Sequence, residues 1–114
     1  MKWNNLTDIQ QLETIKEESV SQPVAIFKHS TRCSISSMAL SRFEKEWNEN
    51  TNVELYFLDL LAHRTISDLI AQRSGVQHQS PQVIVFIDGE VIHHSSHNGI
   101  SAELIESIIH NLTQ

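Results

Sequence analysis

The sequence predicts an α/β fold, a central four-stranded mixed sheet flanked by helices, and three observations carry that expectation. The runs Val24-Ala25-Ile26-Phe27 and Val83-Ile84-Val85-Phe86-Ile87 are short and continuously apolar, as strands buried on both faces are. Between the first of these and the strand-like run Val53 to Leu58 lies a segment with helical spacing, long enough for the crossover that parallel pairing requires. Asp88-Gly89 then separates two further runs, the pattern of a hairpin turn that needs positive φ.

Each element has its own signal. Thr7 followed by Gln10 makes a capping-box pattern, and Ile9, Leu12 and Ile15 continue it as a first helix to about Ser19. Pro23 opens the first core strand. From Cys33 onward, Ile35, Met38, Ala39, Phe43 and Trp47 recur at i, i+3 and i+4 spacings, with Arg42, Glu44, Lys45 and Glu46 between them. That predicts the longest helix, with the apolar stripe facing the core. Val53-Glu54-Leu55-Tyr56-Phe57-Leu58 is the second strand, and Ile66, Leu69 and Ile70 mark a helix that Gly75 terminates. Ser80-Pro81 leads into the third strand, which the Asp88-Gly89 turn joins to the antiparallel run Glu90-Val91-Ile92-His93. Gly99 breaks the pattern, and Ser101 caps a last helix built on Leu104, Ile105, Ile108, Ile109 and Leu112.

Bulk properties bound the function. A length of 114 residues predicts a single domain, 1–114, without linkers or repeats. With a net charge of −6 and eight scattered Lys and Arg residues, no basic face for nucleic acid is expected. Apolar runs are too short to cross a bilayer, so no membrane partner is expected. The start Met1-Lys2-Trp3-Asn4-Asn5 lacks the apolar stretch of a secretory signal, which points to the cytoplasm. There is one cysteine, so any disulfide it forms is with another molecule.

That cysteine, Cys33, lies in Lys28-His29-Ser30-Thr31-Arg32-Cys33-Ser34-Ile35-Ser36, where strand gives way to helix. Backbone NH groups at a helix start and the adjacent Arg32 guanidinium favour a thiolate, the nucleophilic form. Ser36 is one turn further on the same face, placed to donate a hydrogen bond to the sulfur, and it replaces the second cysteine of a Cys-x-x-Cys pair. Lys28 reads first as a solvated charge, and His29 as a satisfied histidine at a strand end or a base near Cys33. His93-His94-x-x-His97 invites a metal, but adjacent strand histidines point to opposite faces and no second cysteine assists, so no metal is expected.

Cys33 at the start of the second helix, Pro81 immediately before the third core strand, and Phe86, Asp88 and Gly89 after it resemble the thioredoxin fold. The resemblance implies that Ser80-Pro81 is cis and faces the cysteine. Phe27 to Ser36, together with His78-Gln79-Ser80-Pro81-Gln82, resembles the YtxJ family of monothiol bacilliredoxins over nearly the full length. Members typically carry proline after the cysteine; Ser34 stands there in this chain and adds one backbone NH to the helix start.

The family resemblance implies a monothiol thiol-disulfide oxidoreductase that removes bacillithiol, a thiol built from cysteine, glucosamine and malate, from client proteins. It implies catalytic Cys33 and Ser36 and a substrate surface of Arg32, Ser34, Ile35, Ser80, Pro81 and Gln82. Among these, Arg32 and Gln82, with Lys28, are candidates for the malate carboxylates, and the Asn98-Gly99 turn offers backbone NH groups to an anion. No bound cofactor is expected; bacillithiol is the co-substrate, and the partners are bacillithiolated clients and a low-molecular-weight thiol. Two other readings stay open. Ser30-x-x-Cys33 is similar to the hydroxyl and thiol pair of thiol peroxidases, although the chain is short for one and lacks the upstream proline pattern. A non-catalytic thioredoxin-like adaptor would use Cys33 only as a modification site.

Overall fold

The computed structural model describes residues 1–113. Its elements run β1 (Trp3–Asn5), α1 (Gln11–Ser21), β2 (Val24–His29), α2 (Ser34–Glu46), β3 (Glu54–Asp59), α3 (Arg64–Ser74), β4 (Gln82–Ile87), β5 (Glu90–Ser96) and α4 (Ala102–Leu112), with a single 3-10 turn at His97–Gly99 before α4. The strands form one sheet in the order β1-β3-β2-β4-β5. β1 and β2 both pair parallel to β3, while β4 runs antiparallel to β2 and to β5. No helix among the described residues is long and apolar enough to cross a membrane.

The sheet has five strands rather than four. β1 escapes sequence reading because Trp3-Asn4-Asn5 carries no apolar alternation; its pairing is made by tertiary contacts. The Trp3 ring lies 5.9 Å from Phe27, 5.9 Å from Phe43 and 5.8 Å from Phe57, and its indole NH donates to Glu44 at 2.8 Å. Asn4 donates its side-chain amide to the Leu55 carbonyl at 3.1 Å.

β2 sits in the middle of the sheet and is buried at every position. Its residues alternate between two cores, as the strand period of two requires. Ala25 and Phe27 join Ala39 and Phe43 of α2 and Ile105 and Ile109 of α4. Val24 and Ile26 join Ile15 of α1 and Ile66 and Ile70 of α3 on the opposite face. The hairpin turn is as expected, with Asp88 at φ 55° and Gly89 at φ 78°. Gly75, at φ 74°, ends α3 and returns its NH to Ala71 at 3.1 Å.

Three local expectations are corrected. Thr7 and Gln10 form no capping box: the Gln11 side-chain carbonyl accepts from the NH groups of Thr7 at 2.7 Å and Asp8 at 2.9 Å, and Ile9 is exposed. In α2 the buried line is Ser36, Ala39 and Phe43, leading to Trp47, whereas Ile35 and Met38 are 53% and 69% exposed. The stripe was displaced in reading because a serine takes an inward position there. In α4, Ile105 and Ile109 are buried but Leu104 and Leu112 face outward.

Phe43 is 1% exposed and touches Trp3, Phe27 and Trp47. Phe43→Ala is therefore expected to lower unfolding free energy by about 3–5 kcal/mol, read from the midpoint of a urea titration.

Candidate active site

The site lies where β2 ends. After His29 the chain turns, with the Cys33 NH donating to the Ser30 carbonyl at 3.2 Å, and α2 begins at once, with Cys33 as its N-cap residue. Cys33 has extended backbone angles, φ −109° and ψ 119°, and its carbonyl accepts from the Ser37 NH at 3.0 Å. The thiol is half-exposed. Arg32 and Ser34 flank it in solvent, and Ile35 adds apolar surface beside it.

Pro81 comes from the other side. The Ser80–Pro81 bond is cis. Antiparallel register pairs Lys28 with Gln82, so Pro81 falls beside His29, at the strand end from which the Cys33 turn departs. Pro81 is buried, and its carbonyl accepts from the His97 NH at 3.0 Å, tying it to the 3-10 turn that contains Asn98 and Gly99. Among the described residues, the buried Ser80 hydroxyl has no hydrogen-bond partner.

Ser36 does not turn to the sulfur. It is fully buried and its hydroxyl accepts from the Ser30 NH at 3.0 Å while lying 2.7 Å from His29 Nδ1. Burial holds His29 below its ordinary pKa, against the opposing charges of Asp59 and Glu44, so the ring is neutral at pH 7. Ser36 has one proton to give and one NH already aimed at its oxygen. Its hydroxyl also hydrogen-bonds to Nδ1, the direction being set by which imidazole nitrogen carries the proton. The pair braces the turn from within: Ser30 is fixed by Ser36, and Cys33 by Ser30.

Lys28 and Gln82 are neither solvated nor open to a ligand. Lys28 is 0% exposed, with Nζ 3.2 Å from the Ser67 carbonyl and 3.4 Å from His78 Nδ1. Burial lowers its pKa to about 8, against the partly compensating charge of Asp68. Gln82 is 1% exposed and its amide donates to the Gln77 carbonyl at 3.0 Å. Both point away from Cys33 for one reason. Even positions of β2 face α1 and α3, and Gln82, as the cross-strand partner of Lys28, shares that face. Ser67 and His78 drew no notice in the sequence. The signal that could have found them was a lysine directly after a continuously apolar run, where the buried strand can extend over it and it has to meet polar groups.

Among the described residues no His, Cys, Asp and Glu group is arranged to hold a metal ion. His94 and His97 are exposed, while His93 is half-buried and held below its ordinary pKa by burial and by the neighbouring His94. His97 adopts a left-handed φ of 53° next to the Pro81 contact.

A five-stranded mixed sheet of this order, with a lone cysteine at the N-cap position of the helix after the central strand and a cis-proline immediately before that strand's antiparallel neighbour β4, defines a thioredoxin-fold protein of the oxidoreductase class. A solved structure described, provisionally, as an oxidoreductase with a thioredoxin fold is 33% identical, covering 91% of this chain and 90% of its own, with a TM-score of 0.79. The thioredoxins of Malassezia sympodialis and Fasciola hepatica share the fold at 18% identity each. The first covers 99% of this chain and 92% of its own with a TM-score of 0.72, the second 92% and 95% with 0.67. The model of the monothiol bacilliredoxin BrxC family matches residues 4–105, and the chain belongs to that family.

Two outcomes are expected. Ser36→Ala leaves the Ser30 NH without its acceptor and Nδ1 of His29 without its partner, a loss of about 1–3 kcal/mol by urea titration. The second concerns pH. His29, His78 and His93 all bind protons more weakly folded than their ordinary value of 6.5, so the unfolded chain takes up more protons below that value. Stability present above pH 6.5 is lost as pH falls through it, and the melting temperature should drop between about pH 7.5 and 5.5.

Proposed function

We propose that this protein removes bacillithiol from client proteins by a monothiol cycle. The Cys33 thiolate attacks the bacillithiol sulfur of the client mixed disulfide. The client–bacillithiol bond breaks, the client thiolate leaves and takes up a proton, and Cys33 carries the bacillithiol. A second bacillithiol thiolate then attacks that disulfide, releasing bacillithiol disulfide and restoring Cys33. The two electrons that reduce the client come from the bacillithiol pair.

The observation that carries this is the pairing of a half-exposed Cys33 at a helix N-cap with a buried Ser36 whose hydroxyl is committed to His29 and Ser30. Where a dithiol enzyme keeps its resolving sulfur, this chain has a structural hydroxyl, so the second thiol has to come from outside. Membership of the monothiol bacilliredoxin family supports bacillithiol as that thiol. Arg32, exposed beside Cys33, suits the malate carboxylates. Exposed Ser34, Ile35 and Met38 would supply the surface on which the client lies, with Ser80 and the buried Pro81 bordering it from the start of β4. Gln82 serves that surface through its place in the strand and not through its buried amide. A reducing compartment, the cytoplasm, fits a lone cysteine that works by transient disulfides.

Incubating a defined bacillithiolated client with wild type and with Cys33→Ser tests the cycle. Wild type should release reduced client while mass spectrometry finds a bacillithiol adduct on Cys33; the variant should release none. Release by Cys33→Ser at the wild-type rate would rule the cycle out. Peroxide-driven sulfenic acid without client release would favour the peroxidase, and neither reaction would favour the adaptor.

A further inference from the structure

A fully buried lysine in the central strand of a small protein is costly unless something uses it. Lys28 reaches from β2 to two places at once, the Ser67 carbonyl in α3 at 3.2 Å and the His78 ring at 3.4 Å, where Ser67 Oγ also lies 3.3 Å from Nδ1. Its cross-strand partner Gln82 reaches the adjoining Gln77 carbonyl at 3.0 Å. Two consecutive residues of the connection from α3 to β4 are thus held from beneath by neighbouring side chains of the two middle strands. That connection ends in the cis Ser80–Pro81 bond.

We propose that Lys28 and Gln82 are positioning residues for exchange at Cys33: by holding Gln77 and His78 they fix Pro81 beside the end of β2. The proposal rests on the exchange reaction proposed above. Register supplies the link, since the strand residue next to Lys28 is His29 and the one before Gln82 is Pro81. A tether on the Lys28–Gln82 pair therefore acts one residue from the site on both strands.

Stability gives no reason to keep a charge here. An apolar side chain of similar length would fill the space without desolvating an ammonium, which offsets the hydrogen bonds lost to the Ser67 carbonyl and to His78, whose Nδ1 keeps Ser67 Oγ at 3.3 Å. Lysine supplies what an apolar residue cannot, several donors at the end of a long stem, enough to hold a helix carbonyl and a loop ring together. The chemistry demands such precision. Exchange needs the attacking, central and leaving sulfurs aligned, and a displacement of about 1 Å can cost about a hundredfold in rate.

His78 has to be neutral for the tether to form, because Lys28 offers only donors and Nδ1 must accept. The charges facing it are Lys28 from β2, and Arg64 and Asp68 from α3; burial, Lys28 and Arg64 all hold the ring below its ordinary pKa, with Asp68 opposing. The tether is therefore intact at neutral pH.

The decisive variants are Lys28→Met and Gln82→Met, which keep length and remove the hydrogen bonds, alongside His78→Asn, whose side-chain carbonyl oxygen takes the place of Nδ1 and still accepts from Lys28. Three quantities are read: melting temperature, amide hydrogen exchange across residues 76–80, and kcat/KM. The last is taken for bacillithiol release from a client and, in parallel, for a peptide disulfide that contains no bacillithiol. Lys28→Met should melt close to the wild-type temperature at pH 7, the relieved desolvation offsetting the lost hydrogen bonds, while exchanging the amides of 76–80 faster and losing about tenfold to a hundredfold in kcat/KM on both substrates. Gln82→Met should move in the same direction by less, and His78→Asn, which keeps an acceptor for Lys28, should retain more activity than Lys28→Met. Unchanged amide exchange, or unchanged kcat/KM, in both methionine variants would overturn the proposal. If wild type acts on the peptide disulfide but not on the bacillithiolated client, the bacillithiol cycle fails, and the peptide arm still decides the role of Lys28 and Gln82.

Discussion

Complete burial of β2 is the constraint on which the rest of the molecule depends. A strand with two neighbours and a helical layer on each face has no solvent to offer any side chain, so every residue from Val24 to His29 must be apolar or be satisfied by protein. The first four positions meet this with hydrocarbon and an aromatic ring, and these join the two cores across the sheet. The last two, Lys28 and His29, meet it with polar partners, and those partners are the elements that form the site. Lys28 faces α3 and the connection to Pro81; His29 faces α2 and the turn to Cys33. A packing requirement at the centre of the sheet is thereby converted into order at its end.

The two polar clusters lie on opposite faces, yet they have the same electrostatic character. In each, burial disfavours the charged form of a histidine, and its Nδ1 is hydrogen-bonded to a neighbouring side chain. Around His29 the nearby charges are acidic, Asp59 and Glu44, and restrain the shift; around His78 the cations Lys28 and Arg64 reinforce it, with Asp68 opposing. Neutral histidine is the form that burial favours in both clusters.

Sequence carried most of the fold where local chemistry decides conformation. Asp88-Gly89 and Gly75 are read correctly because positive φ restricts which residues fit, and Ser101 because its hydroxyl accepts from the Leu104 NH at 3.1 Å. Cys33 and Pro81 could be placed because a strand-to-helix junction and a proline before an apolar run are both visible in one dimension. What stayed hidden depends on contacts between distant segments. β1 exists because β3 offers it an edge and three phenylalanine rings receive Trp3. The inward face of α2 was misjudged because Ser36 occupies it, and a serine is a poor marker of burial until His29 is known to be its partner. Lys28 looked solvated for the same reason: its partners are 39 and 50 residues away in sequence.

The hydroxyl of Ser36 has a further consequence for how such a protein can change. Its oxygen receives the Ser30 NH and it hydrogen-bonds to His29 Nδ1. A sulfur in its place accepts hydrogen bonds weakly and is larger, so it would loosen the turn that presents Cys33 at the moment it introduced a second thiol. Descent from one-cysteine to two-cysteine chemistry in this scaffold is consequently not a single step. Residue 29 and the turn would have to be re-accommodated together with residue 36, and the three positions should be inherited as a unit.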